Sequence, residues 1–249
     1  METILEVCVD SVESAIAAAE GGADRLELCE NLIIGGTTPG RSLLRAVKAE
    51  TGLPVHVLLR PRFGDFLYTE REFALMLEDG RVLLDCGADA LVSGCLTAEG
   101  DLDMARMEAL VTLAKEAGKG FTLHRAFDMC REPLKALEEC RMLGVDTILT
   151  SGQKNHCLQG LALLETLHRE AGDVRIMVGA GVDGSAIRQV RRKIPQATCF
   201  HMSGKVTLDS AMEFRRADVS MGLPGFSEYA LYRTSREKIM EARTALTEA

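Results

Sequence analysis

Two short stretches set a carboxylate and a thiol two residues apart, Glu6-Val-Cys8 and Glu27-Leu-Cys29. Residues i and i+2 of a strand share a face, so in an extended chain each acid lies beside its cysteine. Further chemistry-bearing residues follow downstream. "LLRPRFGDF" supplies Arg60 and Arg62, "LHRAFD" supplies His124, Arg125 and Asp128, "LTSG" supplies Ser151, and the run from Cys199 supplies His201 and Ser203. Glu6, Glu27 and His124 are the acid/base groups of this set, and the guanidinium groups would bind an anion or stabilise developing negative charge. Asp128, Ser151, His201 and Ser203 add polar contacts, and the backbone N–H groups around Gly179 and Gly181 suit a phosphate. A small phosphorylated or carboxylated substrate fits this set. No nucleophile with an adjacent base is evident, which favours proton transfer over acyl transfer.

The elements that must position these residues are written in a weak internal repeat. "GGADRLELC" (21 to 29) recurs as "CGADALVSG" (86 to 94) and "LGVDTILTSG" (143 to 152). Glycine takes the left-handed position after a helix and aspartate bonds locally in turns, so each copy reads as helix stop, turn and strand start. Gly22, Gly87 and Gly144 are 65 and 57 residues apart, about two βα units each. Strand-like runs fall at 4–10, 25–29, 54–60, 90–95, 121–127, 147–151, 175–180 and 197–203, with amphipathic helical patterns between them. No Pro/Gly/Ser-rich linker divides the chain, and the expectation is an α/β fold, one (β/α)8 TIM barrel over residues 1–249. "GAGVDG" (179 to 184) has the look of a dinucleotide fingerprint but comes after the seventh strand, where that fingerprint has no place. "SREKIMEARTAL" reads as the helix that closes the barrel.

In such a barrel chemistry gathers at the C-terminal ends of the strands. Several strands each deliver an ionisable group toward that end. An outward-facing, salt-bridged rim is the bland alternative, and the joint pattern argues against it. Arg60 and Arg125 are the expected partners for buried carboxylates, because a charge inside a barrel is costly unless paired. His56 reads as a core or rim residue, His156 and His168 as solvated, and most cysteines as small core residues.

Composition excludes other classes. The net charge is -8, and no basic run interrupts the acidic background, so neither nucleic acid nor an anionic membrane is an expected partner. No leader-like N-terminal pattern and no 18-residue apolar run occurs, and the eight cysteines contain no CxxC, which fits free thiols in the cytoplasm.

"LEVCVDSVESA", "GGADRLELC", "GGTTP", "RPRFGDF", "HRAFDM", "LTSG", "GAGV", "MEFR" and "SEYALY" together resemble, in order and spacing, the CutC copper-homeostasis family. The resemblance implies a TIM barrel, a cytosolic homo-oligomer, and Cu(I) held by Cys8 and Cys29. Soft thiolates favour Cu(I), and Cys8 and Cys29 end adjacent strands at equivalent positions, so two sulfurs could share one ion. A level register equally permits two unmetallated core thiols, with no third soft ligand unless Met202 or Cys199 swings in. The chain departs from the family pattern at Ile34, Phe63 and Met202.

Overall fold

The computed structural model describes residues 3–216, 218–219, 221–222 and 225–248. Eight parallel strands form a closed barrel in chain order: β1 Ile4–Val9, β2 Arg25–Leu28, β3 Val55–Leu58, β4 Ala90–Ser93, β5 Gly120–Leu123, β6 Thr147–Thr150, β7 Arg175–Val178 and β8 Cys199–Met202. The ladder between β8 and β1 closes it, with Glu6 opposite His201. The helices are α1 Val12–Glu20, α2 Arg41–Thr51, α3 Glu70–Asp85, α4 Met104–Glu116, α5 Pro133–Leu143, α6 Leu161–Glu170, α7 Gly184–Lys193 and α8 Arg236–Glu248. This is the (β/α)8 TIM barrel. The strands occupy the expected runs but stop earlier, because the last residues of each run leave the ladder for the loops.

The repeated junction has a physical purpose beyond the turn. Gly22, Gly87 and Gly144 all take positive φ, at 93°, 98° and 71°, a conformation that glycine adopts without strain. The aspartate two residues on reaches across to the preceding strand instead of bonding locally as expected. Asp24 accepts the N–H of Leu5 at 2.6 Å, Asp89 that of Val55 at 2.9 Å, and Asp146 that of Phe121 at 2.7 Å. Each even-numbered strand of these three pairs is thereby tied to the start of its odd-numbered neighbour. The 65- and 57-residue spacing is the period of that tie.

Side-chain alternation separates two apolar environments. Leu5, Val7 and Val9 point outward into the large core shared with the helices, together with Leu26, Leu91, Phe121 and Phe200. The other face of the strands points into the barrel. There, Ile4, Leu149, Met177 and Cys199 form one small apolar cluster, and Cys29, Leu58 and Val92 form another. Ile4 is two residues before Glu6 and Cys29 two after Glu27, so the ionisable residues lie between the clusters.

Helix caps fix the frame that holds these strands. Ser11 caps α1 by accepting from the N–H of Ser14, and Thr69 and Glu72 form a reciprocal capping box on α3. After β8 the chain makes an antiparallel hairpin, β9 Lys205–Asp209 and β10 Ala230–Thr234, which the βα count does not foresee. Thereafter α8 packs on α7, α1 and β1 and closes the barrel as expected. No helix among the described residues is long and apolar enough to cross a membrane.

Candidate functional site

The middle of the barrel holds a buried ionic network built on Glu6. Its side chain is fully enclosed. One carboxylate oxygen accepts from Arg25 Nε at 2.5 Å and the other pairs with His201 Nδ1 at 2.8 Å. His56 stands 3.6 Å from the first oxygen. Burial alone would raise the Glu6 pKa, but Arg25, His201 and His56 outweigh it and hold the group far below its ordinary 4.5. Glu6 is therefore a fixed anion. Arg25 also directs its Nη2 at the Met177 sulfur, 3.5 Å away.

Glu27 is the opposite case. It is 7% exposed, its Oε2 is buried with no hydrogen-bond partner, and it stands between Cys8 on β1 and His56 on β3 in the strand register. Burial pushes its pKa up to about 7; the Glu6 charge adds to the rise, while His201 and Arg25 oppose it. His201 loses from burial but gains more from Cys8, Glu27 and Glu6, so its imidazolium is strongly favoured. Burial, aided by Arg25, lowers His56 to about 4. Two neighbouring carboxyls with opposed shifts make an acid/base pair: one permanently charged, the other able to exchange a proton near neutral pH.

Glu6, Glu27 and His201 present ligand atoms within 4.8 Å of one another, a spacing that could hold a metal ion. Both Glu6 oxygens are already engaged, one by a guanidinium. A cation there would compete with the Arg25 guanidinium and the His201 imidazole for Glu6, so the donor set fits an ion-pair network better than a coordination shell.

The thiols are not level. Cys8 lies opposite Glu27, and Cys29 lies two residues further along β2's line, diagonal to Cys8. Cys29 directs its S–H at the Val9 carbonyl at 3.6 Å, and burial raises its pKa strongly. The third soft donor is missing as well. Met202 faces the outer core, and Cys199 belongs to the apolar cluster around Ile4.

The expected arginine partners are engaged elsewhere, a second correction. Arg60 Nη1 reaches the carbonyls of Ile34, Gly35 and Gly36, and its Nη2 that of Gly64. Arg60 therefore staples the loops after β2 and β3, its Nε remaining buried without a partner. Arg62 pairs with Glu72 at 2.7 Å and with Asp65 at 3.0 Å. Arg125 pairs with Asp128 at 2.6 Å, and Asp128 also accepts from Thr150 Oγ1, the Ser151 N–H and hydroxyl, and the Gln153 N–H. The anion-binding groups expected here are filled by the protein's own carboxylate.

Arg25 is the site residue that the sequence reading passed over, although it shares a strand face with Glu27 and Cys29 in "RLELC". Strand alternation was the signal that could have found it. His124 lies apart from the network, capping a 3-10 turn at Arg125–Met129. Its Nδ1 accepts from the Ala126 N–H, its Nε2 is buried without a partner, and its ring packs on Phe66 at 4.8 Å between centroids. Burial, with the Arg60 charge, lowers it to about 3, so it is a neutral imidazole. Gly181, at φ 72°, backs directly onto the His156 ring, and Gly179 packs on Leu149; close packing accounts for both glycines. Ser203 supplies its carbonyl to Thr234. His156 and His168 are half-buried rather than solvated. Of the departures, Phe63 is 62% exposed and Ile34 half-buried.

Comparison with known proteins gives this geometry a context. A family model described as the CutC family matches residues 3–205. A CutC family protein of Chromobacterium violaceum is 42% identical over the full length of both chains. The human copper homeostasis protein cutC homolog is 43% identical, covering 95% of this chain and 86% of the human protein. Among solved structures, the putative copper homeostasis protein CutC of Streptococcus agalactiae superposes with a TM-score of 0.75 at 28% identity, covering 81% of this chain and 98% of that one. A 3-hexulose-6-phosphate synthase of Salmonella typhimurium reaches 0.61 at 16% identity over 98% of this chain and 99% of its own, a likeness of fold alone.

Proposed function

The chain belongs to the CutC family, and we propose that it serves copper homeostasis, as the names of its relatives have it, through proton transfer on a small substrate inside the barrel. The observation that carries the proton-transfer reading is Glu27: a carboxyl enclosed by the barrel, one oxygen without a partner, beside a carboxylate and an imidazole that are both locked in place. A carboxyl of this kind is costly to keep unless something uses it. Glu6 fixes the charge balance, Arg25 neutralises it, and Glu27 takes or returns the proton. The enclosed position, the acidic surface and the lack of a basic run favour a small molecule over a polymer. The cytoplasm and a homo-oligomeric state are carried over as part of the family reading.

The test is solvent-deuterium exchange followed by proton NMR over a panel of small 2-oxo acids, hydroxy acids and sugar phosphates. The reading expects catalysed exchange of one C–H in at least one compound and its loss in Glu27→Gln. Exchange that persists in Glu27→Gln, or none across the panel, refutes it.

A second reading is direct Cu(I) binding by Cys8 and Cys29, favoured by their sharing the inner face of adjacent strands. Diagonal neighbours of this kind lie about 7–8 Å apart at Cα, so a bridging ion would need both side chains to lean together. Anaerobic Cu(I) titration of the wild type against Cys8→Ser/Cys29→Ser decides it. Equal stoichiometry and affinity in the two proteins would remove the two-thiol site.

A further inference from the structure

We infer that the loop from Asn31 to Gly36 is the door through which small solutes reach the barrel interior, with Arg60 as its latch. The inference builds on the proton-transfer reading only in that a substrate must reach Glu27. Glu6 is fully enclosed and Glu27 nearly so, and the inward face of β2 runs on from Glu27 to Cys29, toward the C-terminal mouth of the barrel. The loop is what covers Cys29 there. A side-chain carbon added at Gly36 would meet Leu58 Cδ2 at 2.8 Å and the Cys29 sulfur at 3.3 Å, so the Gly36 backbone lies directly on both. Leu32 packs beside it on the small cluster of Cys29, Leu58 and Val92. Gly36 also takes φ 83°, so a side chain is refused there by conformation as well as by space.

The loop is built to move as a unit. Its stem is pinned, because Glu30 and Thr37 exchange two backbone hydrogen bonds of 2.9 and 2.7 Å. Just beyond the stem, the Thr38 N–H meets the Arg60 carbonyl at 3.0 Å and the Arg60 N–H meets the Thr38 hydroxyl at 2.9 Å. The body carries its own bonds, with the N–H groups of Ile34 and Gly36 on the Asn31 carbonyl and that of Gly35 on the Leu32 carbonyl. A compact loop whose ends are joined in this way can swing about its stem while the flanking strands stay in place. Little apolar burial opposes the swing: Asn31, Ile33 and Gly35 are exposed, Leu32 and Ile34 are half-buried, and only Gly36 is buried. Few buried apolar contacts and exposed backbone are the marks of a segment that opens locally, well below the cost of global unfolding.

The closed position is held instead by polar ties from the neighbouring strands. Asp10, just after β1, accepts the Leu32 N–H at 3.2 Å. Arg60, just after β3, sets Nη1 against the carbonyls of Ile34, Gly35 and Gly36 at 3.5, 3.2 and 3.1 Å, and Nη2 against that of Gly64 at 2.9 Å. One side chain thus closes two loops over the mouth. A guanidinium paired with a carboxylate would be the stronger arrangement; set against neutral carbonyls it shuts the mouth and still lets go. Opening uncovers Cys29 first and Glu27 next, two residues deeper on the same face.

The experiment uses the intact, reduced protein and N-ethylmaleimide, with peptide mass spectrometry following Cys29 beneath the loop and Cys140 on α5. The two thiols are equally enclosed, at 1% and 0% exposure, but only Cys29 lies under the loop. In the wild type, Cys29 is expected to label at least about tenfold faster than Cys140, which waits for the outer core to open. Arg60→Met removes the latch and should speed Cys29 at least about tenfold further, the effect of losing hydrogen bonds from a charged donor. Cys140 should keep its rate in that variant, which shows that the barrel is still folded. Asp10→Ala removes only the Leu32 tie and should give a smaller acceleration of Cys29. Cys29 labelling no faster than Cys140 in the wild type, or at an unchanged rate in a folded Arg60→Met, overturns the inference. If Arg60→Met does not fold, or speeds both cysteines alike, Asp10→Ala decides: selective acceleration of Cys29 supports the door, and none overturns it. The labelling involves neither a substrate nor Glu27, and the solvent-exchange panel involves neither maleimide nor Cys29, so either reading can fail while the other stands.

Discussion

Replacing Glu27 by Gln should make the protein's stability less sensitive to pH, and the direction follows from the site. In the folded barrel, burial raises this carboxyl from 4.5 to about 7. Below pH 4.5 the group is protonated both folded and unfolded and contributes no penalty. As pH rises from 4.5 toward 7, the unfolded chain ionises Glu27 first, so folding loses stability; above 7 both states are charged and the loss is complete. A tenfold change in an ionisation constant is worth about 1.4 kcal/mol, so the rise from 4.5 to about 7 amounts to roughly 3 kcal/mol in total. A glutamine side chain at this position cannot ionise. Urea unfolding of wild type and Glu27→Gln at pH 5 and pH 8, monitored by circular dichroism, should show the variant gaining roughly 2.5 kcal/mol on the wild type between the two conditions, the rest of the change lying below pH 5 and above pH 8. Glutamine brings its own packing and hydrogen-bond changes, but these act at both pH values and cancel in the difference. A variant-to-wild-type gap that does not change with pH would refute the electrostatic description of Glu27, and with it the argument that this residue is held ready to exchange a proton.

Two further outcomes follow from the buried carboxylate groups of Glu6 and Asp128. Arg25→Met leaves Glu6 enclosed without its guanidinium and should destabilise the fold by about 3–5 kcal/mol, measured by urea titration at neutral pH; a loss below about 1 kcal/mol would mean that His201 alone suffices. Asp128→Ala removes the acceptor for the Thr150, Ser151 and Gln153 contacts and should cost about 2–4 kcal/mol, with faster amide exchange confined to residues 150–154.

The barrel was legible because its signals are periodic. Eight strand-like runs at roughly regular spacing, and the left-handed glycines of three recurring junctions, are set by local backbone demands that a single sequence displays. The Glu-x-Cys pairs were likewise readable, since alternation along one strand needs no knowledge of its neighbours. What alternation cannot give is the stagger between strands. Cys8 and Cys29 look equivalent in their motifs, yet the β1–β2 register sets Cys8 against Glu27. Partner choice failed for a related reason. Arg60 and Arg125 follow their strands and turn to loop carbonyls and to Asp128, whereas Arg25 lies within β2, at the level of Glu6. The hairpin of β9 and β10 was missed because nothing in a βα count announces an insertion.

The closure of the loops after β5 and β6 over Asp128 has a consequence for any anion approaching that rim. The carboxylate is tethered a few residues from the groups it fills, so it competes as an intramolecular ligand with a high effective concentration, whereas a free anion must arrive at its bulk concentration. Phosphate at ordinary cellular levels therefore meets a cradle that is already loaded. The rim gains an anion site only if Asp128 swings out or is replaced, and the chain's selectivity against anions at this position is written in a single side chain.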